Sequence, residues 1–410
     1  MIAFSAVADK LKLPYPILLI TVGIAVGFIP AMPEIELNPD IVFLIFLPPL
    51  LFDAAFNISF KEFKTNINTI GTLAVSLVFI TATGIAVLTH YMIPGMSWPL
   101  SFVLGAILSA TDAVAAIGIT KGLGLSHKTT TILEGESLVN DASALVIYRF
   151  AVAAVTGTAF MFWKATLEFF ILMVGGLIVG LIISRILAAI LTRVYQNIMV
   201  STSFLLLMPF VTYLIAEELG VSGVIAVVTL GLGISRFSKE MFPQATNDQS
   251  KSIWDIIIFL LNGLIFILIG LEFPYVIGKI EHALILPYIG YAFIITVATL
   301  ALRTLRVFGQ RRDLQRAFTT KKRKITEEAL LDFRTSIIIS WSGMRGIVSL
   351  AIAIGLPATL DNGTLFPQRD AIIFISVIVV LFSLIGQGLT LPWIVKKLGT
   401  SEEPALKSKN

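Results

Sequence analysis

Long apolar segments recur along this chain from near its start almost to its end. Twelve segments of about membrane-spanning length lie at 14–30, 40–58, 70–92, 99–119, 131–156, 165–192, 200–217, 220–235, 253–272, 283–306, 336–357 and 371–395. Roughly 20 apolar residues cross a bilayer. The hydrocarbon core offers no hydrogen-bond partner to backbone N–H and C=O groups, so such segments form helices, in which these groups pair with one another. The pattern therefore predicts an all-α polytopic membrane protein with about 12 transmembrane helices.

Composition excludes several other classes of protein. Of the 410 residues 56% are hydrophobic and only 14% are charged, against about 25% charged in a soluble domain. The absence of Cys excludes a disulfide framework, an iron–sulfur cluster and a Cys nucleophile. The three histidines, His90, His127 and His282, are scattered near predicted helix ends, so we expect no histidine metal site and no cofactor.

Lysine and arginine are distributed unevenly between alternate loops. The loops and termini on the starting side carry 22, and those on the opposite side carry only Lys164, Lys279 and Arg369. The positive-inside rule then places both termini in the cytoplasm and predicts a multi-pass protein of the cell membrane. The net charge of +4 thus reflects topology, and we expect no nucleic-acid partner. The stretch from Arg311 to Arg334 is predicted to be a basic cytoplasmic loop, either topogenic or attractive to anionic headgroups.

Ionisable residues inside the apolar segments are the most informative class. Each costs roughly 2.5–3.5 kcal/mol at mid-bilayer on insertion scales, and it normally faces a cavity or a partner. Asp53 follows two prolines, Asp112 follows Thr111, and Asp141 closes a polar stretch that begins at Glu134. Five basic residues also fall within segments: Arg149, Arg185, Arg303, Arg306 and Arg345.

The polar stretch offers oxygen ligands on adjacent faces of one helix. Ser137 and Asp141 are four residues apart, and so are Glu136 and Asn140. Hard oxygen ligands of this kind suit a small alkali cation, and a single carboxylate also suits a proton. We expect Asp141 to be functional because it lies deep in an apolar helix with no neutralising residue nearby in sequence.

Structural roles remain open for the neighbouring polar residues. Asp53 could bond to backbone groups freed by a Pro-Pro break, and Asp112 could cap a broken helix. An ion pair is the favoured interpretation of Glu136, and Asn140 could be a helix-packing amide. Acids near segment ends, Glu217, Glu218, Asp255 and Glu272, are interpreted as interfacial.

Two segments are predicted to be interrupted within the membrane. The run from Gly105 to Gly118 is small and polar, and the run from Ser340 to Ser349 places Arg345 between two glycines. Interrupted segments in corresponding positions of two halves mark the binding site in transporters built from inverted repeats. An acid at one break and an arginine at the other could offset the partial charges of the helix ends.

In these motifs the chain resembles the monovalent cation/proton antiporters of the NhaP and eukaryotic Na+/H+ exchanger type. The motifs that carry the resemblance are Phe46-Leu-Pro-Pro-Leu-Leu-Phe-Asp53, Thr111-Asp112, Gly135-Glu-Ser-Leu-Val-Asn-Asp141, Gly343-Met-Arg-Gly346 and Gln387-Gly-Leu-Thr-Leu-Pro392. The resemblance implies an inverted-repeat antiporter fold in which two discontinuous helices cross near mid-membrane. It also implies that relatives have one more helix at the start, of which residues 1–12 would be a stub.

The resemblance also assigns roles to individual residues. It implies that the cation is bound by Asp112, Asp141, Ser137 and the Thr111 carbonyl, with Asp53 completing or guarding the site. The family's buried Glu–Arg bridge falls on Glu136 and on Arg303 rather than Arg306. Arg345 matches the arginine of the second broken helix, and Asn140 occupies the position where electrogenic relatives have a second Asp.

The same resemblance implies a domain organisation. Residues 1–397 would be a single transport domain, followed by a short cytoplasmic tail at 398–410. Its ion-binding core would comprise about 70–157 and 283–395, and a dimerising part about 14–58 and 200–272, joined by a linker helix at 165–192. A homodimer is expected.

The expected function is exchange of a monovalent cation for H+, with no enzymatic activity. Na+ is the first candidate, followed by Li+ and K+; cation and proton would compete at Asp141 and Asp112 during alternating access. One exchangeable charge beside the neutral Asn140 predicts electroneutral exchange. A cation channel or uniporter without proton coupling is the alternative.

An intramembrane protease is the third class considered. Gly220-Val-Ser-Gly223 matches the short Gly-x-Ser-Gly pattern of serine-type enzymes, in which a His activates the Ser. No His lies centrally in a segment, so a helix turn is favoured. Asp112 and Asp141 lack the Gly-x-Gly-Asp element of aspartyl enzymes, which excludes that interpretation.

Overall fold

The structure, a computed structural model, describes residues 15–29, 39–58, 60–120, 123, 125–155, 162–194, 196–241, 244–320, 329–360 and 363–398. Within them the chain is helical apart from short connections and one isolated β-bridge between Thr359 and Leu365. The predicted fold class, an all-α membrane protein, is confirmed. The predicted N-terminal stub at 1–12 and the tail at 398–410 lie outside the described residues, except for Leu398.

The helices follow one another along the chain with short connections between them. They are α1 Tyr15–Gly27, α2 Pro39–Asn57, α3 Phe60–Thr65, α4 Ile67–Gly71, a π-helix Thr72–Leu77, α5 Val78–Met92, α6 Trp98–Ile107, α7 Ala113–Ile119, α8 His127–Val155, α9 Phe162–Val194, α10 Ile198–Glu218, α11 Gly223–Met241, α12 Gln244–Lys279, α13 His282–Thr319, α14 Phe333–Trp341, α15 Ile347–Ile354 and α16 Arg369–Leu398. Each of the twelve predicted segments coincides with one helix or with a consecutive run of them.

In the described part of the chain, seven helical stretches are long and apolar enough to cross a membrane in one run. They are Ile67–Met92, His127–Val155, Phe170–Val194, Ile198–Glu218, Asp248–Lys279, His282–Thr319 and Arg369–Leu398. Shorter apolar stretches lie in α1, α2, α6 and α11. The one predicted segment left, 336–357, consists of two short helices, α14 and α15, just as the interrupted segment 99–119 consists of α6 and α7.

Two expectations about local structure are wrong. The helix α2 continues through Pro48 and Pro49, so no Pro-Pro break precedes Asp53. The helix α13 continues to Thr319, so the first part of the basic stretch that begins at Arg311 is helical rather than a loop. Neighbouring helices in a bundle can satisfy the backbone groups that a proline frees, which is why proline is a weak stop signal in a membrane.

The helices pack as two groups that meet at the interrupted segments. The first helix group, α5–α8 and α13–α16, and the second helix group, α1, α2 and α9–α12, each make most of their contacts internally. In the second group Gly23 of α1 meets Gly270 of α12 backbone to backbone, a place where a Cβ on either residue would overlap the partner helix. Small residues permit such close helix crossings in membranes.

The two interrupted segments cross each other within the first helix group. Asp112 lies between α6 and α7, and Met344 lies between α14 and α15. The backbone N–H of Asp112 donates to the Met344 carbonyl oxygen at 2.7 Å. A second bond joins the Ser349 hydroxyl to the Ala110 carbonyl at 3.4 Å. The predicted pair of crossing discontinuous helices is therefore present.

Candidate functional site

One cavity lies between the two helix groups at the crossing of the broken helices. Polar residues of the first helix group line it, namely Thr111, Asp112, Ser137, Asp141 and Ser349, beside Gly346. Asp53 of α2 and Ile258 of α12 line the opposite wall, from the second helix group. All five residues predicted to bind the ion or proton thus face one space. The structure brings together positions that lie far apart in sequence.

Asp141 is the least satisfied carboxylate of this cavity. It lies near the middle of α8 and is 8% exposed. Its Oδ1 accepts no hydrogen bond from any described residue, and no described Lys or Arg forms an ion pair with it. Burying an uncompensated carboxylate is costly, so a neutralising species is required whenever it is ionised.

Thr111 ties the first break to the helix that carries Asp141. The Ser137 hydroxyl donates to the Thr111 carbonyl at 2.9 Å, and the Asn140 amide donates to the Thr111 hydroxyl at 2.6 Å. The backbone N–H of Ala113 approaches the Ser137 hydroxyl oxygen at 3.4 Å. Asn140 therefore fixes the Thr111 side chain at the break, and the Thr111 carbonyl oxygen already accepts a hydrogen bond from Ser137.

Asp112 joins the N-terminal ends of two half-helices. Its Oδ1 accepts from the Ala115 N–H of α7 at 3.1 Å, and its Oδ2 accepts from the Ile347 N–H of α15 at 3.3 Å. A helix N-terminus carries a partial positive charge and unpaired N–H groups, so one carboxylate stabilises both ends. Asp112 therefore caps both half-helices while it also lines the cavity.

Arg345 makes the complementary contacts at the carbonyl ends of the breaks. It is 2% exposed, and its guanidinium donates to the Leu108 carbonyl at 2.9 Å and the Gly343 carbonyl at 3.1 Å. Its own N–H donates to the Ser383 hydroxyl at 3.0 Å. The acid and the arginine together offset the exposed ends of both interrupted helices.

Glu136 and Arg303 form a bidentate ion pair that is fully buried. One guanidinium nitrogen contacts Glu136 Oε1, the other donates to Oε2 at 2.9 Å, and Arg303 Nε donates to the Ile339 carbonyl at 3.0 Å. Arg306 instead donates to the Ser76 hydroxyl at 2.9 Å. The pairing implied by the resemblance is present, and Glu136 is not part of the cavity wall.

Asp53 lies on the opposite wall, on α2. Its Oδ1 accepts from the Asn57 amide at 2.9 Å, and Asp255 of α12 is close enough to interact with it electrostatically. The position of Asp255 near a segment end predicts an interfacial residue, and no sequence motif indicates a role for Asn57 or Ile258. The four-residue spacing of Asp53 and Asn57 on one helix was a signal for that hydrogen bond.

Other acids interpreted as interfacial have specific partners. Glu217 of α10 pairs with Arg149 of α8 at 2.8 Å, and Glu272 of α12 lies 4.0 Å from Arg369 of α16. Sequence patterns give no indication of these two pairs, because each joins helices far apart along the chain. In the Gly220–Gly223 motif, the Ser222 hydroxyl accepts from the Ile225 N–H at 3.3 Å, which agrees with a helix turn.

A helical membrane protein whose two broken helices cross beside a buried acid has the organisation of a secondary transporter. Residues 1–397 match the family model described as sodium/hydrogen exchanger, transmembrane. The chain belongs to this family, and the resemblance to the NhaP and Na+/H+ exchanger type is confirmed.

Individual relatives agree with this assignment. A sodium, potassium, lithium and rubidium/H(+) antiporter of Bacillus pumilus is 36% identical over 394 residues, which are 94% of this chain and 58% of that protein. The Na(+)/H(+) antiporter ApNhaP of Aphanothece halophytica is 34% identical over 396 residues, 95% of this chain and 70% of that one. The chain spans less than three fifths of the length of the Bacillus pumilus relative.

A solved structure shares the fold. The sodium proton antiporter MjNhaP1 from Methanocaldococcus jannaschii superposes with a TM-score of 0.72, covering 97% of this chain and 95% of that one at 20% identity. Agreement over nearly the whole of both chains extends to the arrangement of the helices.

Proposed function

We propose that this protein is a secondary antiporter that exchanges a monovalent cation for H+ across the cell membrane. The observation that carries the proposal is Asp141, buried in the cavity with an unpaired carboxylate oxygen and no described basic partner. In a low-dielectric site an ionised acid of this kind needs a positive species beside it. The names of the relatives support Na+ as the cation, with Li+ and K+ as the alternatives.

The different roles that we propose for Asp112 and Asp141 follow from their hydrogen bonds. Both oxygens of Asp112 accept backbone N–H groups, so this carboxylate is held in place and shares its charge with two helix ends. Asp141 has no such fixed partner among the described residues and takes the exchangeable species. A cation would be bound by Asp141, Asp112 and Ser137, and a proton would replace it at Asp141.

Alternating access completes the proposed mechanism. The cavity is bounded by both helix groups, so a movement of one group against the other would carry the site from one side of the membrane to the other. We propose that the first helix group moves as the ion-binding core and that helices of the second group form the contacts of a homodimer. Both termini would lie in the cytoplasm.

The neutral residue next to Asp141 supports electroneutral exchange. Asn140 donates to Thr111 and contributes no charge to the cavity, which leaves one exchangeable charge at Asp141. One cation would then leave for one proton that enters. A membrane voltage imposed on proteoliposomes should not drive such exchange, and voltage-driven transport would contradict the proposed stoichiometry.

Proteoliposomes that contain a pH-sensitive dye test the function directly. Addition of Na+, Li+ or K+ to the outside should move protons out of the vesicles, so the lumen becomes more alkaline. Asp141→Asn should abolish this signal while the protein remains monodisperse, and Asp313→Asn, at an exposed position of α13, is the matched control. Cation flux without proton movement in the unaltered protein would indicate a channel or uniporter instead.

A further inference from the structure

The far end of the half-helix α15 is held by side chains from two other helices. Arg369 of α16 donates through Nε to the Leu356 carbonyl at 3.0 Å and through a terminal nitrogen to the Ile354 carbonyl at 3.5 Å. The Tyr148 hydroxyl of α8 donates to the Gly355 carbonyl at 3.2 Å. These bonds satisfy carbonyls that a helix C-terminus leaves unpaired.

This end of the molecule is the predicted outer side of the membrane. The connection between α15 and α16 lies there together with the end of α12 and the start of α13, and Lys279 and Arg369 line one pocket at this place. At the opposite end of α15, Ile347 donates to Asp112 in the ion cavity. Arg369 and Asp112 of the ion cavity therefore contact opposite ends of the same half-helix, α15.

Arg369 also reaches the second helix group. A terminal nitrogen lies 4.0 Å from Oε1 of Glu272 on α12, with side-chain exposures of only 17% and 12%. The same helix α12 lines the ion cavity through Ile258. Asp370, the other acid near Arg369, lies beside it on α16 itself at 3.9 Å, so Glu272 is the contact that joins the two groups.

A second ion pair joins the same two groups on the same side. Arg149, on the helix that carries Asp141, lies 2.8 Å from Glu217 of α10, and Glu217 also accepts the Gly223 N–H at 3.0 Å. In both pairs the arginine belongs to the first helix group and the glutamate to the second. Both of the described ion pairs that cross between the groups are therefore on the outer side.

We propose that Arg369 is a positioning residue whose pairing with Glu272 keeps the ion site closed to the outer side. This inference rests on the proposed antiport, because only a site that alternates needs such closure. Opening toward the outer side would separate the guanidinium from the carboxylate. The pair is largely shielded from water, so its loss shifts the balance between the two conformations toward the outward-open one.

Thiol labelling reports this balance without any need for transport. The chain has no Cys, so Asn262→Cys introduces a single thiol. Asn262 is 3% exposed and lies one helical turn beyond Ile258 on α12, toward the outer side. A membrane-impermeant thiol reagent is added to intact cells and, separately, to inverted membrane vesicles, so that both sides are sampled.

Arg369→Gln should speed labelling from the outer side by about 5–30-fold. This is the factor by which the loss of one stabilising interaction shifts a two-state equilibrium. Glu272→Gln should do the same, and it leaves the bonds of Arg369 to the α15 carbonyls untouched. Lys279→Gln removes a charge from the same pocket but should leave the rate near that of the parent, because Lys279 stacks on Tyr275.

Each outcome decides between closure and a merely structural role. Acceleration in Arg369→Gln alone would mean that Arg369 only caps α15, and equal acceleration in Lys279→Gln would mean a general charge effect; both overturn the proposal. If Arg369→Gln does not fold, Glu272→Gln still gives the answer. A parent protein that shows no cation-driven proton flux would refute the antiport while leaving the labelling comparison valid.

Discussion

The backbone N–H of Asp112 donates to the carbonyl oxygen of Met344 at 2.7 Å, so the two interrupted helices are bonded to each other at their breaks. The Asp112 carboxylate then receives N–H groups from α7 and α15, and Arg345 donates to carbonyls beside α6 and α14. The polar groups that the breaks expose are thus largely satisfied within the protein. Asp141, whose Oδ1 accepts no hydrogen bond from a described residue, remains as the acid that we propose to take the exchangeable charge.

Asp112 should therefore show different responses to two substitutions. Asp112→Ala removes both caps and should lower the free energy of unfolding by about 2 kcal/mol, at about 1 kcal/mol for each cap. Asp112→Asn keeps one acceptor oxygen and should lose about half of that, while exchange is lost in both variants. Intrinsic fluorescence melting in detergent measures stability, and the proteoliposome assay measures exchange.

An Asp112→Asn variant that exchanges cations at the normal rate would show that the charge of this residue is not needed. Asp313→Asn again serves as the control. Equal destabilisation by the two substitutions would contradict the capping role, because the side-chain oxygen of Asn can still cap one of the two helix ends.

Gly346 is required by the Asp112 side chain. A Cβ at this position would overlap the Asp112 carboxylate, so Gly346→Ala should displace the acid and reduce the exchange rate by at least about tenfold, the effect of a roughly 1.4 kcal/mol change in a barrier. Gly386→Ala, in an open position of α16, is the matched control and should stabilise the helix by about 0.5–1 kcal/mol. Normal exchange in Gly346→Ala would show that the Asp112 position can vary freely.

The sequence predicts most of the architecture because hydropathy and small polar runs have direct structural consequences. The twelve segments follow from the bilayer's demand for paired backbone, and the two breaks at Asp112 and Arg345 are indicated by small, polar runs that contain glycine. The continuity of α2 through Pro48 and Pro49 could not be predicted, because it depends on neighbouring helices. The same holds for the extension of α13 to Thr319.

The candidate site divides in the same way. The residues on α8 could be predicted because Ser137 and Asp141 share a face through helical spacing alone. The contacts of Arg369 with α15 and Glu272 could not, since they depend on how three distant helices pack. Charge partners across a fold are set by tertiary structure, for which one sequence carries no periodic signal.

The buried pair of Glu136 and Arg303 leads to a test of stability. Glu136→Leu leaves the arginine charge buried without its partner and should cost about 3–5 kcal/mol. The double variant with Arg303→Met removes both charges and should recover most of this loss, although the bond to the Ile339 carbonyl is also lost. Melting temperatures in detergent decide, and a double variant less stable than Glu136→Leu would contradict the argument.

Asn140 leads to a test of stoichiometry. Its amide donates to the Thr111 hydroxyl at 2.6 Å, and Asn140→Asp would put a second carboxylate beside Asp141 while a Thr111 hydroxyl donor remains available to it. Two exchangeable protons against one cation would move net charge, so a voltage imposed on proteoliposomes should now drive proton flux.

Asn140→Leu is the control of similar size without charge. It should lose the Thr111 bond, transport more slowly and stay insensitive to voltage. Voltage-insensitive exchange in Asn140→Asp would mean that the neighbouring position does not take part in proton coupling, and the electroneutral argument from Asn140 would fail with it.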